Sequence, residues 1–196
     1  MSSVVNGLIL AGGKSSRMGT DKSLINYHGK PQRDYLVDLL KPFCDQVFIS
    51  GERNSPASHN FIPDHFDLNS PLNGILSAFH FDPDVAWITV PVDMPNIDTK
   101  AIEYLFGNRN LQKIATCFED CDNKSVEPLF TLWETKARPG LLNFFNSGGS
   151  SLQKFLLEND ILRVRANSNS ILVNVNTKKE LNAFFKQFGK TIQPDK

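Results

Sequence analysis

The chain has 196 residues, 40% hydrophobic and 21% charged, which are the proportions of a globular protein and exclude fibrous and disordered classes. Its 21 basic and 21 acidic side chains cancel, so no global field draws it onto nucleic acid or an anionic membrane. Three cysteines (Cys44, Cys117, Cys121), no secretory leader pattern and no apolar run near the roughly 20 residues that cross a bilayer give a reducing, cytoplasmic setting as the expectation.

The first predicted element is a buried strand over 4–10. It breaks at Leu10-Ala11-Gly12-Gly13 into a loop that ends at Asp21-Lys22. Glycines without a Cβ let the backbone take positive φ and expose amide hydrogens to an anion, and Ser15 and Ser16 add hydroxyl donors. Lys14, Arg17 and Lys22 bring cations suited to a triphosphate, and between residues 10 and 34 five cations outnumber two anions. Two familiar phosphate loops are excluded. A P-loop ending at Gly13-Lys14-Ser15 needs its first glycine where Leu8 stands, and Gly12, Gly13 and Gly19 do not make the Gly-x-Gly-x-x-Gly of a dinucleotide site.

Pro31 opens a predicted helix with Tyr35, Leu36, Leu39, Leu40 and Phe43 on one face, and 47–49 reads as the second strand. A short strand at 61–62 ends at Pro63-Asp64, and Pro71-Leu72-Asn73-Gly74 leads into an apolar helix. The run 86–90 is apolar on both faces, as in the centre of a parallel sheet, and stops at Pro91-Val92-Asp93-Met94-Pro95. Asp98 or Thr99 caps the next helix, 113–118 is a strand, and 128–133 is a strand expected to run antiparallel. Helices are expected over 135–145 and after Ser150 or Ser151, with short strands at 161–164 and 171–173. Thr177-Lys178-Lys179-Glu180 is a capping box for a last helix, and 186–196 is expected to be a frayed tail. Alternation of strand and helix without linker or repeat gives one three-layer α/β/α domain over 1–196, its sheet mostly parallel with an antiparallel strand.

Ligands of such sheets collect at the carboxyl ends of the strands, where Gly12, Asp64 and Asp93 fall. Asp93 is the candidate carboxylate for a divalent metal on a triphosphate, with a turn or helix cap as its plain structural alternative. Asp64 is either a solvated turn residue or an acceptor for the ring N–H and amine of guanine. Cys117-x3-Cys121 has no second ligand pair at zinc spacing, so free thiols are expected.

Leu10-Ala11-Gly12-Gly13, Ser16-Arg17-Met18-Gly19 and Asp21-Lys22 together resemble the signature of nucleotidyltransferases, and among them the molybdenum cofactor guanylyltransferases. Pro71-Leu72-Asn73-Gly74 is similar to the family's second loop, with Ser70 where glycine is usual. Asn174-Val175-Asn176-Thr177 is similar to a late motif near the acceptor. The resemblance implies a Rossmann-like nucleotide-diphospho-sugar transferase fold and Mg2+-dependent transfer of GMP from GTP to molybdopterin cofactor, with release of pyrophosphate. It further implies catalytic roles for Arg17, Lys22 and the metal-binding Asp93. Leu10, Ala11, Gly12, Gly13, Lys22, Ser50, Asp64 and Asp93 would bind nucleotide, and Gly74, Asn174 and Asn176 the acceptor. Ser50 stands where the family has an asparagine. The partners so implied are GTP, molybdopterin, a cofactor-supplying protein and molybdoenzymes, with neither nucleic acid nor membrane. The alternatives are a cytidylyl- or sugar-phosphate nucleotidyltransferase of the same fold, or a GTP-binding module without catalysis.

Overall fold

A computed structural model describes residues 4–12, 21–51, 60–119, 125–166 and 168–187. In chain order the elements are β1 (Val5–Leu10), α1 (Gln32–Leu40), β2 (Val47–Gly51), β3 (Phe61–Pro63), α2 (Pro71–Phe81), β4 (Ala86–Pro91) and α3 (Thr99–Gly107). β5 (Ala115–Glu119), β6 (Val126–Trp133), α4 (Ala137–Asn146), α5 (Leu152–Leu157), β7 (Leu162–Arg165) and α6 (Lys178–Gln187) complete the described fold. Short 3-10 turns occupy Lys22–Leu24 and Asn169–Leu172.

The strands form one sheet in the order β3-β2-β1-β4-β6-β5-β7. β1 pairs in parallel with β2 and β4, β2 with β3, and β5 with β7, while β6 is antiparallel to both its neighbours. That is the mixed three-layer α/β sheet the sequence predicts. β1, β2 and β4 are buried at every position, which is why they read as mostly apolar runs and not as alternating ones. Leu36, Val37 and Leu40 of α1 and Ile102 and Leu105 of α3 cover one face with Ile9, Ile88 and Val90. Leu72, Ile75, Phe79, Leu141 and Phe155 of α2, α4 and α5 cover the other with Leu8, Trp87 and Trp133. One polar chain crosses the interior: the Trp133 indole donates to Thr89 Oγ1 at 3.1 Å, and Thr89 Oγ1 donates to the Thr131 carbonyl at 3.2 Å. Arg109 forks onto Glu134 at 2.7 and 2.8 Å, pinning the α3–β5 connection to the end of β6.

Three expectations need correction. The segment 171–173 is not a strand, since Asn169–Leu172 turns as a 3-10 helix capped by the Ser168 hydroxyl, which accepts from Ser170 N at 3.2 Å. The fifth strand begins at Ala115 and not at residue 113, because Lys113 N closes a turn onto the Asn110 carbonyl at 3.0 Å. The last helix runs through Gln187, so Lys186 and Gln187 are helical; 188–196 lie outside the described residues. Among the described residues no helix is long and apolar enough to cross a membrane.

Candidate functional site

The chain runs outward through β1, β2 and β3, then returns to the far side of β1 as β4, so the strand order reverses between β1 and β4. A cavity of about 280 Å³ opens there at the strands' carboxyl ends. Leu10, Ala11 and Gly12 from the end of β1, Ser50 from β2 and Asp64 after β3 line one side. Pro91 at the end of β4 and Val92 and Asp93 just after it, with Lys22 and Leu129, line the other, and Leu68, Asn69, Ser70, Pro71 and Gly74 complete the lining at the start of α2.

Asp93 is fixed by its backbone. Val92 N donates to the Leu10 carbonyl at 3.3 Å, prolonging the β1–β4 ladder by one residue, and Val175 N donates to the Asp93 carbonyl at 2.7 Å. The side chain is 21% exposed and its Oδ1 is buried without a hydrogen-bond partner among the described residues. Burial raises its pKa, and the Lys22 ammonium, with Nζ 3.6 Å from Oδ2, partly opposes the rise. Lys22 sits on the first 3-10 turn, which Asp21 caps by accepting from Ser23 N at 2.9 Å, and its Nζ donates to Asn176 Oδ1 at 2.5 Å. The turn after Asp93 is tied to the segment around α1, since the His28 ring bonds the Pro95 carbonyl at 2.8 Å and Tyr35 OH donates to that of Ile97 at 3.3 Å.

Two glycines keep room at the floor. A Cβ on Gly74 would lie 2.6 Å from Ser50 Oγ and 3.1 Å from Leu10 Cδ2, so only glycine lets α2 approach β1 and β2 this closely. Ser50 is therefore packed beneath α2, 2% exposed. A Cβ on Gly12 would take up space beside Asp64 Oδ2, 3.8 Å away. Gly12 is not in the positive-φ region, and with Gly51 Cα 3.6 Å from such a Cβ its contacts would be ordinary ones, so the left-handed backbone expected of it is not what this glycine supplies.

The structure thus brings Leu10, Ala11, Gly12, Lys22, Ser50, Asp64, Gly74 and Asp93 around one cavity, with Asn176 joined to it through Lys22. Asn174 is two residues from Asn176 but does not line the cavity. Gly13 and Arg17, with Lys14, Ser15, Ser16, Met18 and Gly19, lie outside the described residues, as does Cys121.

Two side chains escaped the sequence reading. Asn73 is buried at the start of α2; it donates to the Phe66 and Leu68 carbonyls at 2.6 and 2.9 Å and accepts from Phe66 N at 3.1 Å, holding the loop between Asp64 and Ser70. A polar residue inside an otherwise apolar helix face was its only signal. Glu127 opens the irregular stretch where the β5–β6 register shifts, and its Oε1 accepts from Leu129 N at 2.8 Å. Burial pushes its carboxyl up to about 7, with the charge of Asp93 adding to the rise. No pattern in the sequence marks it.

The donor set fits Mg2+, which takes one or two carboxylates and completes its shell with phosphate oxygens and water. Asp93 Oδ1 is the unpartnered oxygen such an ion needs. Among the described residues no group of three or more His, Cys, Asp or Glu gathers to hold a metal alone, so an ion here relies on the phosphates it binds.

Open sheets that gather glycine, cation and carboxylate at this reversal of strand order are those of nucleotide-handling α/β proteins, and this chain falls in that class. The profile of the MobA-like NTP transferase domain matches residues 7–164, and the chain belongs to that family. It is 31% identical to the molybdenum cofactor guanylyltransferase of Vibrio parahaemolyticus, over 90% of this chain and 93% of that one. It is also 31% identical to the molybdenum cofactor biosynthesis bifunctional protein of Synechocystis over 89% of its length, although it spans only 52% of that longer protein. The crystal structure of molybdopterin-guanine dinucleotide biosynthesis protein A from Archaeoglobus fulgidus superposes with a TM-score of 0.78 at 18% identity, covering 95% of this chain and all of that one, which is agreement in fold.

Proposed function

We propose that this protein transfers GMP from GTP to the terminal phosphate of molybdopterin cofactor, with Mg2+, yielding the guanine dinucleotide form and pyrophosphate. One observation carries the reading: Lys22 and Asp93, 71 positions apart in sequence, pair in the cavity that Asp64 also lines, and one buried oxygen of Asp93 has no hydrogen-bond partner among the described residues. An oxygen of the acceptor phosphate bonds to the α-phosphorus as the bond to the bridging oxygen breaks and pyrophosphate departs. That nucleophile is already ionised near neutral pH, so positioning and charge neutralisation suffice without a general base. Lys22 neutralises phosphate charge, Asp93 holds the metal, and Asp64 accepts the N–H groups of guanine. Mg2+ supplies further neutralisation on the triphosphate.

The test is thermal unfolding with GTP, CTP, UTP and ATP, each with and without Mg2+, on wild type and Asp93→Asn. Binding at a hundredfold excess over Kd contributes about 2.7 kcal/mol, a rise in Tm of about 5–10 °C for a chain of this size. The expected pattern is a Mg2+-dependent shift with GTP alone, weakened in Asp93→Asn, whose pyrophosphate release with molybdopterin falls by orders of magnitude. A shift with CTP instead overturns the named nucleotide, and undiminished turnover by Asp93→Asn overturns the metal assignment.

A further inference from the structure

The ammonium of Lys22 is held by a residue 154 positions later, in a segment beyond the family match at 7–164. That segment is clamped on both sides of the contact. Upstream, Val175 N donates to the Asp93 carbonyl at 2.7 Å. Downstream, Glu180 Oε2 accepts from Thr177 N at 2.9 Å, and Glu180 N donates to Thr177 Oγ1 at 3.2 Å; these are the two reciprocal bonds of a capping box. Glu180 Oε2 also accepts from Asn176 N at 2.7 Å, a bond that capping α6 does not require. The carboxylate therefore grips the backbone of the residue whose side chain holds Lys22; the Asn176 amide does most to keep the Glu180 carboxyl below its ordinary range, the Thr177 bonds add to this, and the Lys22 charge contributes least.

We infer that Glu180 is a positioning residue of the nucleotide site: through Asn176 it fixes the Lys22 ammonium beside Asp93, ready for the phosphates of a magnesium nucleoside triphosphate. The inference rests on the proposed function only in taking Lys22 as a phosphate contact. An Asn amide free to rotate loses its hold on a flexible lysine, which then returns to solvent, so the cost of losing Glu180 falls on nucleotide affinity more than on the fold.

A double-mutant cycle on the Kd of Mg2+–GTP, measured by calorimetry on the full chain, tests it. Glu180→Ala is expected to weaken binding about tenfold, as Asn176→Ala does, and the double variant to bind no worse than Asn176→Ala alone. Glu180→Gln, which keeps an acceptor oxygen, recovers part of the loss. Ala183→Gly weakens α6 without touching these bonds and is expected to leave Kd at the wild-type value. Additive losses from Glu180→Ala and Asn176→Ala, or an equal loss from Ala183→Gly, overturn the inference. If wild type binds a different nucleoside triphosphate, the named reaction falls and the cycle is run with that nucleotide. Binding of none of the four overturns both readings.

Discussion

Glu127 gives the site a titration near neutral pH. Its carboxyl is raised from an ordinary value of 4.5 to about 7, chiefly by burial, so the folded protein binds a proton that the unfolded chain gives up. The stability this group contributes is complete below about pH 4.5 and is lost as pH rises through 7. Glu127→Gln keeps an oxygen for Leu129 N without the charge, and should gain up to about 3 kcal/mol on wild type at pH 8 and little at pH 4.5. Tm measured across that range checks it; a constant gap between the two proteins would remove Glu127 from the pH response. For single residues it was place and not role that was legible in the sequence: Gly12, Lys22, Asp64 and Asp93, read at loop and strand ends, do line one cavity. Glu127 was not legible, because its burial depends on an irregular β6 that no local pattern encodes, and the packing of α2 against Ser50, which lines the cavity, could not be read from the sequence either.

Between elements, the wall from Asp64 to Ser70 has no regular structure of its own and depends on α2. The Asn73 side chain bonds Phe66 through both N–H and carbonyl and Leu68 through its carbonyl, and Ser77 Oγ accepts from His65 N at 2.9 Å. Asn73→Ala leaves these groups without partners at about 1–3 kcal/mol each where burial persists, so a loss of roughly 2–4 kcal/mol and a Tm lower by on the order of 10 °C are expected. KM for GTP should rise more than kcat falls, since the loop lines the nucleotide cavity. An unchanged Tm would mean that water replaces the amide. The strands and helices themselves were legible because β1 and β4 are mostly apolar and buried throughout, Asp98 and Ser151 supply side-chain caps, and Thr177 with Glu180 closes the capping box. The segment 171–173 misled because Ile171, Leu172 and Val173 have strand composition, while the Ser168 cap and the bond from Asn96 Nδ2 to the Ser170 carbonyl at 2.9 Å hold the chain in a turn.

Across the whole molecule, burial is unevenly shared. Two large apolar clusters enclose the sheet from either face, whereas α6 rests on a third built from Tyr27, Val175, Phe184 and Phe185, with Ile25 and Leu181 at its margin. Tyr27 stacks on Phe185 at 5.8 Å and meets Phe184 edge-on at 5.1 Å, so α6 is bound to the segment that carries Lys22. So small a cluster cannot match the protection of the strands, and local opening of α6 should cost less free energy than global unfolding. In native-state hydrogen exchange the amides of β1 and β4 should report the global unfolding free energy and those of α6 a lower one. Mg2+–GTP, by engaging Lys22 and through it Asn176, should raise protection in α6 more than in β5 and β7 at the far edge. Equal protection of α6 and the central strands without nucleotide would make the C-terminal helix part of the cooperative core. No gain in α6 on binding would separate it from the nucleotide altogether, leaving the Lys22–Asn176 contact a structural tie.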